Sequence, residues 1–157
     1  KLQADKTLLL NEKSLIIRTN FFGFDPSRRG KLLDWAKSKL ENGEEISGFA
    51  DVYFTPISVT ILASTLIALI GGGFCGVFNV VSSESISKFD FLRLVADSLG
   101  CNQQLVLRSS IRNSRLEVQR PNFLSLSNNK LKQNLPDYKD YLVSDMISLE
   151  IARYKLA

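Results

Sequence analysis

The chain has no histidine among its 157 residues. A Ser-His-Asp or Cys-His catalytic group therefore has no place in it, and neither does a histidine-ligated metal site. Cysteine is nearly as scarce, with Cys75 and Cys101 the only two. A four-cysteine zinc site and a disulfide-rich scaffold are excluded with it. Cys75 lies among glycines and phenylalanines, the setting of a small buried hydrophobe, and Cys101 follows a predicted helix end. Neither has an activating neighbour, so neither reads as a reactive thiol, and both suit a reducing cytoplasm. Walker, HExxH and calcium-loop motifs are missing too. The first residue is Lys1 rather than methionine, and no signal-peptide pattern follows it. We therefore expect the chain to start at an internal point of a longer protein.

Hydrophobic residues make up 45% and charged residues 23%, which fits a folded globular chain and not a disordered one. Twenty Lys and Arg against sixteen Asp and Glu give a net charge of +4, too mild to identify a nucleic-acid binder. Arg108, Arg112, Arg115 and Arg120 cluster, with Glu117 opposing them. Two readings fit: a solvated loop, or an anion site built on guanidinium forks. No aromatic interrupts the stretch, so it lacks the stacking platform of a single-strand binder.

Val52 to Ser83 carries no charge. Pro56, Gly71-Gly72-Gly73 and Asn79 interrupt it, so it reads as soluble elements and not a membrane span. Val59, Leu62, Ala63, Leu66, Ile67 and Ile70 fall on one predicted helix face, capped by Ser58, with Gly71 left-handed at its end. Gly76 to Val81 is a buried strand. Leu2 to Glu12 is predicted helical, Ser14 to Thr19 a strand covered on both faces, and Asn20 to Ser27 a loop. Arg29 to Asn42 is a helix that buries Leu32, Leu33, Ala36 and Leu40 and stops at Gly43. Ser87 and Asp90 form a capping box, Ile86 staples onto Phe91, and Gly100 ends that helix. Leu105 to Leu107 is a short strand, Ser127 caps a short helix closed by Pro136, and Asp140 to Tyr154 is the last helix. Trp35 and Phe91 are assigned to packing. The alternation points to an α/β layout with parallel strands, too few to form a self-sufficient sheet.

The Gly71-Gly72-Gly73 run precedes a strand, whereas a dinucleotide loop follows one and opens a helix. Glu44 and Glu45 are adjacent and point apart, and Asp137 and Asp140 flank a helix start, where they satisfy its dipole. On spacing alone no active site is visible.

Five stretches, in order, go further: KLQAD at Lys1 to Asp5, SLIIRTNFFG at Ser14 to Gly23, FADVYFTP at Phe49 to Pro56, GVFNVVSSESISKFDF at Gly76 to Phe91, and Arg120-Pro121 followed by Leu124-Ser125-Leu126 and Lys130-Leu131. Together they resemble the C-terminal half of extended short-chain dehydrogenase/reductases, nearest the dTDP-4-dehydrorhamnose reductase family. The resemblance implies the end of a Rossmann-type parallel sheet plus a helical substrate-binding region, one fragment over 1–157, without the N-terminal dinucleotide-binding half. It implies NADP or NAD as cofactor, held mainly by that missing half, and a dTDP-4-keto-6-deoxy sugar as substrate.

By the same resemblance Lys1 is the catalytic lysine, acting with a tyrosine upstream and bonding the nicotinamide ribose. Asn20 contacts cofactor or substrate, Phe21 and Thr55 contact substrate, and Arg120 pairs with the diphosphate. Each has a plainer reading: a solvated chain start for Lys1, turn formation for Asn20, helix capping for Thr55 and a surface position for Arg120. The chain alone is expected to be inactive. The expected partners are the sugar nucleotide, the N-terminal half and a second copy, not nucleic acid or membrane, and no metal is expected. Two alternatives stay open: an epimerase or dehydratase of the same superfamily, or a non-catalytic regulatory subunit.

Overall fold

A computed structural model describes residues 3, 7–8, 10–25, 31–113 and 121–156. The readings that rest on Lys1, Arg115 and Arg120 fall outside these residues. Of the helix expected over Leu2 to Glu12, Gln3, Thr7 and Leu8 are helical, and Leu10 to Lys13 turn towards the first strand.

β1, Leu15–Arg18, is the apolar run Leu15-Ile16-Ile17 closed by an arginine. It lies parallel to β6, Gly76–Asn79, with Leu15 opposite Gly76 and Arg18 opposite Asn79. Main-chain bonds from Gly76 N to Ser14 O and from Val80 N to Arg18 O extend the ladder at both ends. A parallel pair needs a crossover, and helix α2, Val59–Gly71, lies on it. Helix α1, Leu32–Glu41, comes earlier and buries Leu33, Ala36 and Leu40, whereas Leu32 and Trp35 stay partly exposed. Trp35 is thus not the packed residue expected, because it stands on the outward side of α1.

The segment expected to be a loop after β1 contains a short strand. β2, Phe21–Phe22, pairs in parallel with β5, Ile57–Ser58. β3, Ile46–Phe49, pairs in parallel with β8, Val106–Ser109, which starts one residue after the short strand expected over Leu105 to Leu107 and runs two residues beyond it. β4, Tyr53–Phe54, lies between antiparallel β7, Ile86–Ser87, and parallel β9, Phe123–Leu124.

Helix α3, Lys88–Leu99, organises the interior. It packs against α1, β3, β8 and the last helix, and Phe91, Val95 and Ala96 on its inner face are buried. Its limits are those the sequence predicts. The Ser87 hydroxyl accepts from Asp90 N at 3.0 Å, and Gly100 takes φ 73°. β3 approaches α3 so closely that a Cβ on Gly48 would stand 2.6 Å from the α-carbon of Phe89.

Three other boundaries differ from expectation. In α2 the Ser58 cap is present, accepting from Ile61 N at 3.1 Å. The buried face, however, is Ile61, Leu62, Thr65 and Leu69, while Val59, Ala63, Ile67 and Ile70 are exposed. A helix without a charge on any side offers no polar face to mark the outside. Gly71 stays helical, and the left-handed step falls on Gly73, φ 67°, where Phe74 N closes onto Leu69 O. Helix α4, Asn129–Asn134, begins after Asn128, and Ser127 only receives Asn129 N at 3.4 Å. Helix α5, Val143–Leu156, starts beyond Asp137 and Asp140. Its first N–H, on Val143, goes to the Glu84 carboxylate at 3.0 Å. Asp140 instead accepts from Ser83 and pairs with Lys132. Burial raises the Asp140 pKa, but these two partners outweigh it and hold the carboxyl below its ordinary value. Cys75 is exposed, not buried as expected, because the turn after α2 carries it outside the β1–β6 pair.

Candidate ligand-binding cleft

Ligands of parallel α/β folds sit outside the carboxyl ends of the strands. The carboxyl end of β1 leads through Thr19 into Asn20, and the Thr19 hydroxyl is buried there without a hydrogen-bond partner among the described residues. Asn20 is fixed from two sides. Its carbonyl accepts from Ile57 N at 3.1 Å, and its side-chain amide donates to Leu124 O at 2.9 Å. The chain then passes along one wall of a cleft of about 340 Å³. Asn20, Phe21, Phe22, Gly23 and Phe24 form that wall; Lys31 to Leu33 at the start of α1, Phe54, Val59, Lys88 and Leu124 complete it.

The cleft is mainly apolar, and Phe21, Phe22, Phe24 and Phe54 are its aromatic members. Phe22 and Phe54 each meet the buried Phe91 edge-on, with ring centroids 5.1 and 5.3 Å apart. That buried cluster makes the floor rigid. Phe21 is 58% exposed and stands at the mouth. Nearby, Tyr53 and Phe123 stack nearly parallel at 6.0 Å. The polar members are Asn20, Lys31 and Lys88. Lys31 is largely exposed and pairs with Asp25 at 3.6 Å. Lys88 is not exposed in this way. Its Nζ lies 3.4 Å above the centroid of the Phe54 ring, and burial pushes its pKa down to about 8.

The structure thus brings two of the sequence-derived site residues, Asn20 and Phe21, to one cleft. Thr55 stands apart. It is buried, and its hydroxyl accepts from Leu126 N at 3.1 Å, bracing the loop behind the wall. Ser58 takes the capping role that Thr55 could have filled. Lys88 is the residue that sequence reasoning missed. The signal for it was present: a lysine at the first position of a helix stands at the positive end of the dipole, where a cation is disfavoured.

A groove of about 480 Å³ along α1, lined by Asp34, Trp35 and the Lys37–Glu41 ion pair, is larger but bordered by paired, exposed charges. None of its lining residues belongs to a strand. Of the arginine cluster read as a solvated loop or an anion site, Arg108 and Arg112 are described: Arg108 lies over the Phe89 ring, and Asp51 beside it accepts from Ser110.

A dinucleotide needs a glycine turn that follows a strand and opens a helix. The left-handed glycines, Gly43, Gly73, Gly76 and Gly100, sit at helix ends or open a strand. The described residues therefore do not fit a dinucleotide's phosphates by themselves, although Thr19 and Asn20 offer polar atoms at the strand end.

Parallel strands joined by crossover helices, with a cleft at the carboxyl end of β1, define an α/β chain of Rossmann-type fold. The family model for the RmlD substrate binding domain matches residues 1–147, and the chain belongs to that family. It is 26% identical over 146 residues to "Probable low-salt glycan biosynthesis reductase Agl14" of Haloferax volcanii, covering 91% of this chain and 49% of that protein. A solved dTDP-4-dehydrorhamnose reductase of Bacillus anthracis, in complex with NADP, superposes with a TM-score of 0.76 at 21% identity, over 88% of this chain and 48% of that one. The dTDP-glucose 4,6-dehydratase of the same organism, in complex with NAD, gives 0.77 at 15% identity, over 99% and 50%. At such identities the two structures show the fold alone. The chain spans about half the length of the relatives it matches. Among the described residues, no helix is long and apolar enough to cross a membrane.

Proposed function

We propose that this chain is the sugar-nucleotide-binding part of an NAD(P)-dependent reductase that acts on a dTDP-4-keto-6-deoxy sugar. The observation that carries it is the mainly apolar cleft at the carboxyl end of β1, with Asn20 and Phe21 in its wall, in a chain of the RmlD substrate binding domain family. In this reading residues 1–157 form one fragment, the end of a Rossmann-type domain with its substrate-binding region. The dinucleotide's phosphates belong to residues beyond those described, in an N-terminal half, and the protein resides in the cytoplasm. Asn20 lies where it can reach cofactor or substrate, and Phe21 lies against the substrate. Thr55 supports the substrate wall through Leu126. Lys1 as catalytic lysine and Arg120 as diphosphate partner rest on the resemblance of their motifs and lie outside the described residues.

The test is to express the gene with the sequence that precedes Lys1 and to follow NADPH oxidation with a dTDP-4-keto-6-deoxy sugar. Turnover supports the reductase. A folded protein that consumes no NADPH overturns it. Release of a dehydrated or epimerised sugar without net NADPH loss assigns the related dehydratase or epimerase chemistry instead.

A further inference from the structure

Lys88 is costly where it stands. Its ammonium is half-buried over the Phe54 ring, and among the described residues it has no carboxylate and no hydrogen-bond acceptor. Every other lining group of the cleft is apolar, neutral or, in Lys31, also cationic. Lys31 already has Asp25, whereas Lys88 has only an aromatic face. The nearest acid on its own helix, Asp90, is exposed and takes the Ser87 hydroxyl. Lys88 also opens α3, so it adds a positive charge to the positive end of a helix. Burial without a partner and an unfavourable dipole act together, and an anion entering the cleft would relieve both.

We propose that Lys88 is the anion anchor of the cleft and that it receives a phosphate oxygen of a diphosphate-bearing ligand, with the aromatic wall taking an apolar face of the same molecule. The proposal rests on the sugar-nucleotide reading for the identity of that ligand, and on the cleft alone for its charge. Nζ donates up to three hydrogen bonds to phosphate oxygens while its stem stays against Phe54. Ligand charge also opposes the desolvation that now depresses the ammonium.

The experiment measures binding of inorganic pyrophosphate, dTDP and thymidine to the full chain by titration calorimetry. It uses the unaltered chain, Lys88→Met and Lys88→Arg, each checked for folding by circular dichroism. Methionine keeps the aliphatic stem on Phe54, and arginine keeps the charge. Lys88→Met should weaken dTDP and pyrophosphate by about tenfold or more and leave thymidine unmoved, while Lys88→Arg stays within about threefold. Equal dTDP and pyrophosphate affinities in the unaltered chain and a folded Lys88→Met would overturn the anchor and leave the sugar-nucleotide reading standing. Pyrophosphate binding that depends on Lys88, without binding of dTDP, would support the anchor and overturn the nucleotide. Binding of neither would overturn both.

Discussion

A half-buried lysine leaves a pH signature in stability that needs no ligand. Lys88 titrates near 8 in the folded chain, against an ordinary value of 10.5. Below about 8 it is charged in both states, and above 10.5 it is neutral in both. Between the two, the unfolded chain binds more protons, so stability rises with pH across that window. Lys31 lines the same cleft and exposed Asp90 stands on the same helix, and burial is what lowers the ammonium. Tyr138 has the opposite sign. Burial raises it to about 12, so its contribution is present below its ordinary 10 and lost above that. Comparison with Lys88→Met cancels the tyrosine. The stability difference between the two proteins should change between pH 8 and 10.5, the unaltered chain gaining of order 2 kcal/mol relative to Lys88→Met. A flat difference would show that Lys88 is solvated. At this scale legibility follows sequence distance. The Ser87–Asp90 cap can be read because its partners are three residues apart. Thr55 cannot, because its partner Leu126 is 71 residues away.

Elements are legible where polar punctuation marks them. Helix α3 has a capping box at one end and a left-handed glycine at the other, and both stand where the sequence places them. β2 and β3 have no such marks. Phe21–Phe22 is a strand only because Ile57–Ser58 lies beside it, and Ile46–Phe49 only because Val106–Ser109 does. The buried face of α2 differs from the expected one for a related reason: an uncharged helix carries no record of which side meets solvent. The tightest join between elements is Gly48 against Phe89. A methyl there would meet the backbone of α3 at 2.6 Å, and no change of rotamer moves a main-chain carbon out of its way. Gly48→Ala should therefore push β3 off α3 and cost about 1–3 kcal/mol, read as a lowered Tm in a thermal melt. Gly71→Ala has nothing within 4 Å of the new carbon and adopts helical backbone, so it should hold or raise the Tm. A Gly48→Ala protein that melts with the unaltered chain would mean that β3 and α3 separate freely.

On the scale of the whole molecule, α2 leaves apolar side chains open to solvent. Ile67 is 72% exposed and Ile70 69%, with Val59 and Ala63 on the same side and no charge along the helix. β1 is paired on one edge only among the described residues, and Leu10, at 85% exposure, precedes it. In relatives twice as long, further chain is available to cover such surfaces. Alone, the 157-residue chain has to leave them in water or bury them against another copy, and contiguous apolar surface favours the second. The mild net charge of +4 gives little repulsion to prevent it. Light scattering on the isolated chain should therefore report dimers or larger species that grow with concentration. Ile67→Lys combined with Ile70→Lys places two like charges on the open face at no cost to the core, since both side chains point outward. The double variant should shift the population towards monomer while its far-ultraviolet spectrum stays unchanged. If the unaltered chain is a monodisperse monomer with a cooperative melt, the open face of α2 is not adhesive. If the double variant associates as strongly as its parent, the contact lies elsewhere, and the free edge of β1 is the next surface to charge.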